Sequence, residues 1–241
     1  MNILILVIFI FLCYFFIVLK SPFNPTQDDK SYIMKNLYNG DKWNKYRLGD
    51  VVFRDPHGEY YTDNFYDSVL YHEDLYPSTI ASEYMKLNKK LKNVADFKLL
   101  NDIISKKQTN KNSISEDTLV LHIRTGDVMC KYHSSEKNIY DSKYTKQGNI
   151  PWWNGILDYI SKNNIKKVII LSGTHFNECI QESTDYLLDR KKFLISNLNY
   201  LDVSFRLGQT PDDDILFCKN AKHFITTGGG YGEILQKIIS S

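Results

Sequence analysis

An arginine placed at the end of a buried strand and followed by a tight polar turn can bind an anion. In this chain the apolar run Leu119-Val120-Leu121-His122-Ile123 ends in Arg124-Thr125-Gly126-Asp127. The run predicts a buried parallel strand over 119–123. In open α/β sheets ligands bind at the carboxyl ends of strands, which is where Arg124 would emerge. A guanidinium stays charged and forks onto phosphate oxygens. Gly126 allows a sharp turn, and Asp127 can hold the loop or the guanidinium. His122, two residues before the strand end, suits loop orientation better than base chemistry. An Arg–Asp pair that only braces a loop would use the same residues.

A second constellation lies near the C-terminus. Residues 223–227 predict a short strand that runs into Gly228-Gly229-Gly230-Tyr231-Gly232 and a closing helix over 233–239. Glycines let backbone approach a phosphate, and a helix N-terminus favours negative charge. Thr226 and Thr227 add hydroxyl donors. A turn alone needs one or two glycines, so the excess points to close approach by an anion at Gly228, Gly229 and Gly230. Two polar strand ends that converge would make a site.

His122-Ile123-Arg124-Thr125-Gly126-Asp127 resembles the His-x-Arg-x-Gly-Asp motif of the fucosyltransferase superfamily, which includes alpha-1,2-, alpha-1,6- and protein O-fucosyltransferases. The C-terminal segment resembles that family's last motif. The resemblance covers about residues 115–241 and implies the donor half of a GT-B glycosyltransferase. It implies that Arg124 grips the diphosphate of GDP-fucose, that the glycine turn positions the nucleotide, and that no metal takes part. Many alpha-1,2 members carry a second Arg where this chain has Thr125. Asp214 and Cys218 correspond loosely to an acidic residue and a cysteine in one of the family's helices.

The pattern around these motifs alternates. Helices are expected over 152–161, 177–194 and 212–220, and strands over 167–173 and 200–205. That order implies right-handed βαβ units and a Rossmann-like parallel sheet with helices on both faces. Pro151 suits a first helical turn. Trp152 and Trp153 suit helix packing better than a sugar platform. Asp212-Asp213-Asp214 after Pro211 is a helix-start signature rather than an Asp-x-Asp metal site.

Residues 3–19 are apolar apart from Cys13 and Tyr14, close to the ~17 residues that span a bilayer. They predict an uncleaved signal-anchor over 1–20, with a cleaved signal peptide as the alternative. Lys20 on its C-terminal side would place the domain in the cytosol by the positive-inside rule, whereas the resemblance implies a lumenal domain. Residues 21–114 form a small, mainly helical N-terminal or acceptor-side region. Its helices are expected over 29–37, 78–91 and 96–106, behind a polar linker at 22–30. The stretch from Arg54 to Asp63 mixes polar and aromatic groups, a composition shared by sugar clefts and ordinary surface loops.

The 241 residues carry a net charge of +2, which gives no reason to invoke nucleic acid as a partner. Four cysteines exclude a disulfide framework; Cys130, Cys179 and Cys218 can form at most one bridge. No cluster has zinc-ligand spacing. The expected function is a membrane-anchored glycosyltransferase moving fucose from GDP-fucose to a hydroxyl of a glycan or protein acceptor, with no cofactor beyond the donor. A degenerate, non-catalytic binder of nucleotide or glycan, and a transferase using another donor, remain open. Asp127, Glu233, His57 and Asp63 are all conceivable as general base.

Overall fold

The computed structural model describes residues 27–38, 48, 52, 79–88, 96–108, 114–130, 150–174 and 179–240. Residues 1–26, with the expected anchor, lie outside these, as do His57, Asp63 and the rest of the stretch from Arg54. Among the described residues no helix is long and apolar enough to cross a membrane.

Three helices precede the sheet: α1 (Gln27–Asn36), α2 (Ile80–Asn88) and α3 (Phe97–Lys107). Then follow β1 (Thr118–His122), a 3-10 turn (Gly126–Met129), α4 (Ile150–Lys162), β2 (Lys167–Leu171), α5 (Ile180–Asn197), β3 (Asp202–Arg206), α6 (Pro211–Cys218), β4 (His223–Thr226) and α7 (Gly230–Ser240). The strands form one four-stranded parallel sheet in the order β3-β2-β1-β4. The α/β expectation therefore holds, with helices on both faces.

The faces follow from strand alternation. Leu119, Leu121 and Ile123 point into a cluster with Trp153, Ile156 and Ile160 of α4 and Leu187 and Leu194 of α5. Val120 points the other way, toward Ile215 and Cys218 of α6 and Ile234, Leu235 and Ile238 of α7. Right-handed crossovers require this: β1 to β2 to β3 steps one way and puts α4 and α5 on one face, and the return to β4 puts α6 on the other. Each fully buried aliphatic side chain contributes about 1.5–3 kcal/mol relative to exposure.

The N-terminal helices join these layers. Ile33 and Leu37 share the Leu121 cluster, and Leu100, Ile103 and Ile104 share the Val120 cluster. Lys191 of α5 holds Asp29 of α1 at 2.8 Å. The helix expected from residue 29 starts two residues earlier, so residues 27–28 belong to the first turn of α1 and not to the linker, and Asp28 and Asp29 complement the helix dipole. The end of α1 reaches the carboxyl rim of the sheet, where Thr174 N–H donates to Leu37 O at 3.0 Å.

Helix α5 starts three residues later than periodicity suggests. Its N-cap is Cys179, at φ 55°, bonded through a disulfide to Cys130. Periodicity sees neither the bond nor the left-handed residue. The bridge spans 49 residues, a loop whose closure is worth about 4 kcal/mol on the chain-entropy account. Cys218 remains a buried free thiol.

Candidate functional site

The strand order reverses between β1 and β4, and in open α/β sheets such a switch point opens a crevice at the carboxyl ends. His122 is in register with Thr226 across it. The motif around Arg124 and the glycine turn thus leave adjacent strands at one level.

Backbone pairing continues past the strands. Thr227 N–H donates to His122 O at 3.0 Å, and Arg124 N–H donates to Thr227 Oγ1 at 3.0 Å. Thr227 is fully buried, so its hydroxyl holds the two strand ends together instead of facing outward. The Thr226 hydroxyl accepts from Gly228 N–H at 3.0 Å and meets His122 Nδ1 at 2.9 Å. Both threonines, read from the sequence as added hydroxyl donors, are engaged in shaping the turn.

His122 is buried, and burial, aided by the nearby Arg124 guanidinium, pushes its pKa down to about 4. It is neutral near pH 7, and its Nδ1 can accept the Thr226 proton. This agrees with an orienting role.

The glycine run divides by role. Gly228 and Gly229 have φ of 116° and 84°, and Gly230 opens α7 as an exposed residue. Gly232 faces Thr226 and His122 with no room for a β-carbon. The excess of glycines is therefore partly packing against His122. Helix α7 begins three residues before the expected 233, with Glu233 N–H donating to Gly229 O at 3.0 Å. Glu233 itself is exposed in the first turn.

Arg124 lies over this helix start. A β-carbon on Gly229 would be 3.0 Å from Arg124 Cδ and 3.5 Å from its Nη1. Asp127 approaches Arg124 Nη2 at 3.4 Å, with the Asp127 side chain 58% exposed. An exposed pair of that length contributes little stability. It places Asp127 beside the guanidinium, one of the two partners the sequence left open for it. A half-exposed guanidinium beside the first turn of an eleven-residue helix is an arrangement that can hold phosphate oxygens.

The other side of the loop is fixed by hydroxyls that the sequence reading did not single out. Ser172 Oγ donates to Ile123 O at 2.7 Å, and Thr125 Oγ1 lies 3.0 Å from Ser172 Oγ and donates to Gly173 O at 3.2 Å. Gly126, at φ 84°, donates its N–H to Ser183 Oγ of α5 at 3.1 Å. The Ser172-Gly173 pair at the end of a buried strand was the available signal; Ser183 had none.

The acidic trio has other work. Asp212 accepts from Ile80 N–H at 2.9 Å and so caps α2; Thr210 caps α6 by accepting from Asp213 N–H at 3.1 Å, and its hydroxyl donates to the Asp213 carboxylate at 2.6 Å. Asp214 takes a 2.9 Å hydrogen bond from Arg206 Nε. The helix-start reading is correct for this segment. Burial pushes the Asp214 carboxyl up to about 7 against the opposing pull of Arg206. Tyr231 Oη donates to Pro211 O at 2.6 Å, tying α7 to the start of α6. Among the described residues no group of three or more His, Cys, Asp or Glu side chains could hold a metal. Trp153 is buried in the core, as helix packing required.

No protein-family model, curated protein or solved structure matches the chain.

Proposed function

We propose that the chain is a membrane-anchored glycosyltransferase with a Rossmann-like, GT-B-type donor half, transferring fucose from GDP-fucose to a glycan or protein hydroxyl. The observation that carries this is the meeting of Arg124 with the Gly228-Gly229 turn and the N-terminus of α7 at the sheet's switch point. A diphosphate seated there would meet the Arg124 guanidinium and take backbone contacts from the glycine turn. As the sugar departs, charge builds on the diphosphate, and a guanidinium already in place stabilises it without reorganisation. Asp127 and Glu233 are the described carboxylates on this rim that could assist the acceptor hydroxyl. The Cys130–Cys179 bridge supports a lumenal or extracellular domain, since disulfides persist in oxidising compartments. That favours the orientation implied by the family resemblance over the one implied by Lys20.

One observation favours a second reading, a nucleotide binder without turnover. Thr125 is buried and bonded into the loop, so this chain presents one motif guanidinium rather than two. Titration of the full chain with GDP-, UDP- and CMP-sugars, followed by an assay of GDP release with and without acceptor glycans, separates the readings. Binding of GDP-fucose with release of GDP supports transfer. Binding without release supports the second reading. Binding of another nucleotide sugar alone moves the donor assignment, and no binding removes the site.

A further inference from the structure

We propose that the Cys130–Cys179 disulfide is a redox-sensitive latch on this rim, whose reduction by a dithiol weakens phosphate binding at Arg124. The inference rests on the anion-site reading above and adds a control to it.

The latch acts through a short chain of contacts. Arg124 leads into the 3-10 turn Gly126–Met129, which carries Asp127, and the turn ends at Cys130. Cys130 is bonded to Cys179 at the head of α5, with Cα atoms 4.9 Å apart. Cys179 is held at φ 55°, a conformation that residues with a β-carbon leave unless their surroundings enforce it. Ser183 N–H donates to Cys179 O at 2.9 Å, and Ser183 Oγ accepts from Gly126 N–H at 3.1 Å. The bond therefore closes a ring: Gly126, Cys130, Cys179, Ser183 and back to Gly126. Opening it removes the constraint on Cys179, lets the first turn of α5 relax, and loosens the hydrogen bond that fixes Gly126. Asp127 and the guanidinium it orients lie next to that point.

The bond is also reachable. Cys130 is exposed and Cys179 is half-buried. A dithiol reductant attacks through one thiolate, breaks the Sγ–Sγ bond and forms a mixed disulfide. Its second thiol displaces the remaining protein sulfur. Cys130 and Cys179 end as thiols, carrying the two protons and two electrons that the dithiol gives up as it closes to its own disulfide. Val128 and Met129 stay buried in the core and keep the turn attached, so the effect is on alignment and not on the fold.

The test titrates the full chain with inorganic pyrophosphate in the oxidised state, after dithiothreitol, and after reoxidation. Amide hydrogen exchange over residues 124–130 is measured in parallel. The expected result is affinity on the order of tenfold weaker on reduction, comparable to losing one charge-assisted hydrogen bond. It should recover on reoxidation, with faster exchange over 124–130 and an unchanged circular dichroism spectrum. The double variant Cys130→Ser/Cys179→Ser should match the reduced protein and ignore reductant. Equal affinity and exchange in both states overturn the latch, and so does collapse of the circular dichroism on reduction, which makes the bond a brace of the whole fold. If the oxidised chain does not bind pyrophosphate, the anion-site reading fails and the control of binding is overturned with it, even where faster exchange over 124–130 on reduction shows that the bond holds the rim.

Discussion

Arg124 lies across Gly229 so closely that a β-carbon there would meet Arg124 Cδ at 3.0 Å. Gly229 also sits at φ 84°, where side chains are disfavoured. Gly229→Ala should cost about 1 kcal/mol in stability from the backbone. It should weaken pyrophosphate binding on the order of tenfold or more by displacing the guanidinium. Gly229→Val should do both more strongly. Chemical denaturation and calorimetric titration give the two numbers. A variant that melts early but binds normally would make the turn purely structural.

Gly232 tests a different contact. Its missing β-carbon leaves room for Thr226 Oγ1 and for His122 Nδ1, which would lie 2.8 Å from an added carbon. Gly232→Ala should push His122 and Thr226 apart and destabilise the domain by about 1–3 kcal/mol, the usual range for overpacking. Urea denaturation measures this. A neutral or stabilising result would mean that α7 can shift away from β1 and β4 at no cost.

Two buried groups give opposing pH dependence. Burial raises the Asp214 carboxyl from 3.8 to about 7. Between those values the folded state holds a proton that the unfolded state lacks, so stability from this group falls as pH rises through the window. His122 is lowered from 6.5 to about 4, chiefly by burial. Its contribution is present above 6.5 and lost as pH falls toward 4. Asp214→Asn removes the first slope and leaves the second. The melting temperature of the variant minus that of the natural chain should therefore rise from pH 4 to 7. A flat difference across that range would show that Arg206 keeps Asp214 ionised throughout.

Much of the rim was legible because it depends on local pattern. The run at 119–123 and the strand at 223–227 are each within one residue of the observed strands, since apolar residues flanked by turn chemistry mark strands well. Pro211 and the acids after it marked the start of α6 because a helix dipole acts within one turn. The strand order was not legible: which strand lies beside β1 is decided by packing of helices far apart in sequence. For the same reason nothing in 21–114 announced that Ile33 and Leu100 would line opposite faces of one sheet. Thr226 and Thr227 looked like donors because hydroxyl chemistry is visible in sequence, while burial of Thr227 under Arg124 is a tertiary fact. Cys130 and Cys179 were two of three candidate partners, and only the fold selects the pair.

The acidic trio at 212–214 yields a further outcome. Each carboxylate is engaged by Ile80, Thr210 or Arg206. Donor binding should survive excess chelator, and Asp212→Ala should lower stability by about 0.5–2 kcal/mol through loss of the acceptor for Ile80 N–H at the start of α2. A binding requirement for Mn²⁺ that disappears in Asp212→Asn would instead make these residues a metal site.

A diphosphate site made by Arg124 and the start of α7 requires that GDP binding depend on the guanidinium, which isothermal titration of GDP against Arg124 variants measures. The natural chain should bind, and Arg124→Ala should lose at least about 1.5–3 kcal/mol of binding, the range for a hydrogen bond to a charged group. Arg124→Lys should be only partly rescued, because an ammonium cannot make the forked contact. Circular dichroism should be unchanged in both variants. Equal GDP affinity in a folded Arg124→Ala protein would rule out a diphosphate site at Arg124.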